Sequence, residues 1–380
     1  MSTNDASPRP AEAATPSSAA SSDVPTPRAV AARLQQHVIG QEEAIKEMAI
    51  ALSKKLATLR VGNILMIGSS GTGKTTVMRA VERMLAEDGG LRLRPTVVRM
   101  HANVLGEEAQ QGRPGEAVLQ RLMQQARDQL GVAASLEAVL DHALRGIVFV
   151  DEIDKIRSHI GQRPNVAGIR AQEALLTVME NEAVPFTLPA WAGGETVTLD
   201  SSGLLFVCAG AFEGLYDAVY DRVTVGRDKG ALKPTTVMED GKVTERLDFR
   251  LRDWLKNDDL FEYGMSPQFL ARYDAVVLLH DLTVDQLTDI FLESPESGYR
   301  QARAYFEGHG VHLALSPDGA RLIAREASRE PRLGARALKE VFRRVIRDYE
   351  FEPHRHVTGG GVLLLDAPDV ARALGIKLPA

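Results

Sequence analysis

Two stretches of the sequence carry residue types at spacings that could do chemistry. "GSSGTGKTT", residues 68–76, fits the pattern G-x-x-x-x-G-K-[ST]. Glycines there let several backbone N–H groups converge on phosphate oxygens, and a helix opening at that point adds the positive end of its dipole. Ser70, Gly71, Thr72, Gly73, Lys74, Thr75 and Thr76 are therefore candidate nucleotide-binding residues. Lys74 would reach the β- and γ-phosphates, and the Thr75 hydroxyl would coordinate Mg²⁺. The second stretch is "GIVFVDEIDK", residues 146–155, in which four apolar residues run into Asp151 and Glu152. A buried strand of that kind delivers its last residues to the carboxyl edge of a sheet, where α/β folds bind ligands. Asp151 suits a Mg²⁺ shell, and Glu152 suits a base that orients and polarises an attacking water. Each stretch alone could be an ordinary turn; together they point to nucleoside triphosphate hydrolysis.

The elements around them fit that use. "NILMIG" (63–68), "TVVRM" (96–100), "GIVFVDE" (146–152) and "GLLFVCAG" (203–210) read as strands, the first leading straight into the glycine-rich loop. "TTVMRAVERMLAEDGG" and "EAVLQRLMQQARDQLG" read as amphipathic helices between them. Apolar strands alternating with helices predict a parallel α/β sheet covered on both faces. A further helical pattern begins near Val30 and is interrupted at Gly40. Past about residue 280 the chain turns mainly helical, and the strand "GVLLLD" (361–366) is read as closing it. The expected organisation is a disordered Ala/Ser/Pro-rich tail over 1–28, a large α/β unit over 29–281 and a small helical unit over 282–380.

Composition narrows the function. The net charge of −6 argues against a general binder of nucleic acid or anionic membrane. A single cysteine, Cys208, excludes an intrachain disulfide framework and a cysteine-built zinc site. No apolar run is long enough to span a bilayer, and the N-terminus lacks the order of a secretion signal, so a cytoplasmic location is expected.

"HVIGQEEAIKEMAIAL" (37–52), the phosphate loop, "GIVFVDEIDKI", "LLFVCAGAF" (204–212), "SPQFLARYDAVVLL" (266–279) and "LGARALKEVFRRVI" (333–346) occur in an order that resembles the AAA+ ATPases of the Clp/HslU clade, the ClpX-like ones above all. The resemblance covers most of residues 30–370. It implies ATP and Mg²⁺ as ligands, a nucleotide held between a large α/β subdomain and a helical lid, and assembly of identical chains into a ring, usually a hexamer. It also implies that Val38 and Ile39 contact the adenine and that Arg272 is an arginine finger reaching a neighbouring subunit's γ-phosphate. Such a finger is worth about 10³–10⁵-fold in rate. Arg336 corresponds to the sensor-2 arginine of the lid. The sensor-1 position has no obvious occupant; "FVCAGAF" offers only Cys208.

The substrate-handling segments depart from the family. The tail holds no cysteine for the family's four-cysteine zinc domain, and residues 223–249 hold no Ile-Gly-Phe peptidase loop but a polar, charged insert. Where the family has an Arg-Lys-His loop, "FTLPAWAGGETVTLD" (186–200) leaves Trp191 either an exposed contact or a buried lid. Where the family's pore loop reads Gly-Tyr-Val-Gly, "GRPGE" (112–116) puts Arg113 in the aromatic's place, which suits carboxylates or phosphates rather than sequence-tolerant packing. The reading that fits is a ring ATPase that remodels a dedicated protein partner without a ClpP-type peptidase. A nucleic-acid motor and an ATP-gated scaffold with little turnover are the competing readings; overall acidity opposes the first, and intact Lys74, Glu152 and Arg272 oppose the second.

Overall fold

Along the strand Asn63–Ile67, side chains alternate between two separate cores. Ile64 and Met66 pack with Phe149, Val207 and Ala209, under the helices Pro27–Leu34, Glu42–Leu56 and Lys74–Glu87. Leu65 and Ile67 point the other way, to Val148, Val150, Phe206 and Cys208, under the helices Ala102–Gln110, Glu116–Leu130, Leu136–Leu144, Val166–Glu180 and Leu215–Thr224. Helices on both faces require strands that are apolar throughout rather than alternating with polar residues. The computed structural model describes residues 24–87, 94–110, 115–180, 183–229, 235–239, 242–246, 249–330, 332–357 and 360–377.

The main sheet has five parallel strands in the order Tyr273–Leu278, Asn63–Ile67, Leu205–Gly210, Ile147–Asp151, Val97–His101. The strand carrying the phosphate loop is therefore flanked on both sides, and the acidic strand lies one position further along. A third core gathers the helices Val284–Glu293, Gly298–Gly308, Pro317–Ala327, Ala335–Phe351 and Ala367–Leu374 around two parallel strands, His312–Leu315 and Val362–Leu365.

Two expectations need correction, the start of the first helix and the close of the chain. The first helix starts at Pro27, inside the stretch expected to be disordered: Thr26 caps it through the Ala29 N–H, and Val30 and Leu34 are buried. Ser53 also anchors this segment by donating to the Pro25 carbonyl at 2.7 Å. The strand at 361–366 does not close the chain. Asp366 caps a further helix, Ala367–Leu374, with Asp369 completing the capping box and Val370, Ala371 and Leu374 buried. That strand also has a partner, His312–Leu315, too short to stand out in the sequence. The insert at 223–249 contains an antiparallel hairpin, Thr235–Glu239 with Lys242–Arg246.

Candidate nucleotide site

Residues 68–76 form a tight loop between the strand end at Ile67 and the helix starting at Lys74. Gly71 takes a left-handed conformation, φ +73°, which a side chain resists. Lys74 lies along the loop, its Nζ donating to the carbonyl oxygens of Gly68 at 2.6 Å and Ser69 at 2.8 Å. Burial lowers its pKa to about 8, against the pull of Asp151 and Asp154, while Arg336 adds to the lowering. Thr72 is buried and turned back, its Oγ1 donating to the Ser69 carbonyl at 2.8 Å, and unlike its neighbours in the loop it does not line the cleft described below.

The acidic strand ends where the sequence places it. Thr75 Oγ1 donates to Asp151 Oδ2 at 3.0 Å, joining the phosphate-loop helix to the end of the acidic strand. The Asp151 Oδ1 accepts the Glu152 N–H at 2.9 Å. Glu152 adopts a left-handed backbone, φ +58°, unusual for a residue with a side chain, as the chain turns into a short 3-10 helix. Its carboxylate lies 3.8 Å from Nδ1 of His101, the residue opposite Asp151 on the edge strand.

The lid closes over this edge. Ala335 N–H donates to the Gly71 carbonyl at 3.1 Å, and Arg336 Nη1 donates to Ser70 Oγ at 2.6 Å. Arg79 grips Glu296 of the lid with two bonds, at 2.8 and 2.9 Å, and Arg332 grips Asp217 likewise at 2.9 Å to each oxygen. The result is a cleft of about 440 Å³ between the large unit and the lid. Ser70, Gly71, Gly73, Lys74, Thr75, Thr76, Asp151, Glu152 and Arg336 all line it. Its size is that of a small-molecule site.

Other candidates lie elsewhere. Val38 is buried in the core beneath the three N-terminal helices and Ile39 is half-buried; neither lines the cleft. Arg272 stands at the opposite, amino edge of the sheet, just before the residue paired with Asn63. Five strand residues separate that edge from the phosphate loop, about 16 Å. Arg113 falls outside the described residues, which resume at Gly115, left-handed at φ +76°, ahead of the helix Glu116–Leu130. Trp191 is half-buried against the large core, with the Arg127 guanidinium 4.3 Å over its ring. Cys208 is fully buried, its thiol pushed up to about 12 by burial. It therefore offers no polar group at the strand end.

Two further residues at the site lie within stretches already singled out, but are given no role there. Gln41 is buried and bridges the loop to the neighbouring strand: its Nε2 donates to the carbonyls of Thr72 (3.0 Å) and His280 (2.8 Å), and its Oε1 accepts from the His280 N–H (3.1 Å). Asp154, only 2% exposed, accepts the Ala211 N–H at 3.1 Å and so fixes the end of the central strand beside the cleft. A lone polar residue before a helix, or one just past an acidic pair, gives no periodic signal.

A parallel sheet with a glycine-rich loop feeding a helix, and a strand ending in two carboxylates beside it, defines the P-loop nucleoside triphosphatase class. Within that class, the model of the AAA domain (Cdc48 subfamily) matches residues 59–276, more than half of the chain. The chain belongs to the AAA+ ATPases and is ClpX-like. It is 28% identical over 349 residues to the ATP-dependent Clp protease ATP-binding subunit ClpX of Treponema denticola, covering 87% of this chain and 77% of that one. The Bacteroides fragilis ClpX is 28% identical over 353 residues, and ClpX 3 of Methylococcus capsulatus 29% over 358, with the same coverage. It is an ATPase. Among the described residues no helix is long and apolar enough to cross a membrane.

Proposed function

We propose that the chain assembles with copies of itself into a ring, hexameric in its relatives' manner, and couples ATP binding and hydrolysis to the remodelling of a protein partner. It would act in the cytoplasm and without a ClpP-type peptidase, nucleic acid not being its substrate. The large unit would be residues 29–281 and the lid 282–380. The observation that carries the reading is the convergence of Lys74, Thr75, Asp151, Glu152 and Arg336 on one cleft between the two units.

The roles proposed for the site residues are these. Lys74 would hold the β- and γ-phosphates beside the loop's N–H groups, and Arg336 would tie the lid to the same anion. The Thr75 hydroxyl and the Asp151 carboxylate are hard oxygen donors 3.0 Å apart, a set that fits Mg²⁺. The ion, when bound, neutralises phosphate charge. Glu152, exposed at the strand end, would accept a proton from water and orient it toward the γ-phosphate. Val38 and Ile39 would contact the adenine. Arg272, about 16 Å from its own loop by the strand rise, would serve a neighbour's nucleotide rather than its own. Arg113 would contact an acidic segment of the partner.

A Glu152→Gln variant tests the reading. It should bind ATP, assemble with it and hydrolyse it roughly 100-fold more slowly than the parent, the scale of a lost general base. Hydrolysis at the parental rate would remove Glu152 from the chemistry. Degradation of a tagged protein on adding a ClpP-type peptidase would overturn the peptidase-free reading, and stimulation of the ATPase by DNA or RNA would favour the motor.

A further inference from the structure

The trans role of Arg272 raises the question of what holds a long, flexible side chain in readiness at the sheet's amino edge. Two supports are present. The Arg272 Nε donates to Glu180 Oε1. The Arg272 carbonyl accepts from Asn63 Nδ2 at 3.0 Å, and Asn63 Oδ1 accepts the Phe206 N–H, also at 3.0 Å. Side chain and backbone of Arg272 are thus held separately, one by a helix end and the other by two strands of the sheet.

Glu180 is the last residue of the helix Val166–Glu180, and that helix has no basic residue in its last turn. A carboxylate there faces the negative end of the helix dipole and is disfavoured unless a cation answers it. Among the described residues Arg272 is the only cation paired with it. The pairing uses only Nε, which leaves the two Nη groups to form a fork toward a phosphate. Fixing the arginine beforehand also removes rotamer entropy that binding would otherwise have to overcome.

We infer that Glu180 and Asn63 are positioning residues that aim Arg272 at the nucleotide held by a second copy of this chain. The inference rests on the finger role proposed above. Glu180 makes no contact with nucleotide; it acts through Arg272 alone.

The test is steady-state ATPase of the full-length ring for the parent, Glu180→Ala, Glu180→Gln, Arg272→Ala and the Glu180→Ala/Arg272→Ala double variant. Glu180→Ala should lower kcat roughly 10- to 100-fold, the cost of a misplaced catalytic group, with KM and ADP affinity unchanged. Glu180→Gln, near-isosteric and still an acceptor for Nε–H, should recover part of that loss, and it serves as the probe if the alanine variant fails to fold. The double variant should be no slower than Arg272→Ala. Unchanged kcat in both Glu180 variants, with Arg272→Ala impaired, would overturn the inference and leave the finger standing. A double variant slower than Arg272→Ala would show Glu180 acting by another route and overturn it too. Parental turnover by Arg272→Ala would bring down the finger and the inference together.

Discussion

Gly71 of the phosphate loop and Gly334 of the lid meet backbone to backbone. A Cβ built on Gly334 would lie 2.7 Å from both the carbonyl carbon and the carbonyl oxygen of Gly71, and 2.9 Å from the Ser70 carbonyl oxygen. Built on Gly71, it would lie 2.1 Å from the Leu333 carbonyl oxygen. Backbone cannot yield as a side-chain tip can. Gly334→Ala should therefore push the lid off the loop, separate Arg336 from Ser70, and weaken ADP binding by about 10-fold, the equivalent of 1.4 kcal/mol. Isothermal titration would read the change; an unaltered Kd would mean that the lid contact plays no part in holding nucleotide.

Burial lowers the Lys74 pKa to about 8. The protonated form binds phosphate, so binding must pull the proton on and raise that pKa. ADP affinity should accordingly hold steady just below pH 8 and decline as the pH climbs past it. Titration in buffers of different ionisation enthalpy should show proton uptake on binding near pH 8 to 9. Replacement by alanine should abolish nucleotide binding and with it the pH dependence. Binding that strengthens with rising pH would mean that the neutral amine, not the ammonium, is the form that holds nucleotide.

Arg272 and Lys74 belong to opposite edges of one sheet, so their defects should complement. On the proposed roles, rings of Lys74→Ala alone would lack nucleotide, and rings of Arg272→Ala alone would lack the finger. Mixed before assembly, Lys74→Ala chains can lend their arginines to intact loops on Arg272→Ala neighbours. Part of the parental ATPase should return. A mixture as inactive as its components would place the arginine's effect within its own chain.

A separate prediction concerns folding. Arg222, 8% exposed, holds the buried Asp259 with bonds of 2.7 and 2.9 Å and also reaches Asp228 and the Trp254 carbonyl. Arg222→Ala would leave a buried carboxylate without a partner, which costs about 3–5 kcal/mol. Urea unfolding should show that loss. A shift under about 1 kcal/mol would mean that water replaces the guanidinium, as it does for exposed pairs.

Much of the site is legible in the sequence because its residues are contiguous. The phosphate loop and the acidic strand each fit within ten residues, and the apolar runs beside them are strands because both sheet faces are covered. What escapes is the part made by single residues far apart in the chain. Gln41 reaches 239 positions ahead to His280, and Asn63 reaches 209 positions to Arg272. Neither belongs to a periodic pattern. The edge strand Tyr273–Leu278 is half-exposed, with Asp274 as its second residue, and so lacks the unbroken apolar run of its neighbours. Trp191 cannot be assigned from sequence, since what decides it is Arg127 on a helix some sixty residues earlier. Only the first turn of the first helix, which the sequence places from near Val30, is hidden by its Ala- and Pro-rich surroundings, although Thr26 and Pro27 are a start signal once the buried Val30 and Leu34 are known.

The strand Asn63–Ile67 has a phosphate loop at one end and the mount of Arg272 at the other. In a ring built as proposed, these two ends answer to different owners. Damage at the loop stays with its carrier: the chain that bears it is the chain that fails. Damage at the Asn63 end is inherited by the next chain round, whose own sequence is sound. Co-expressed with the parent, a chain of either kind would silence one site, its own in the first case and a sound neighbour's in the second.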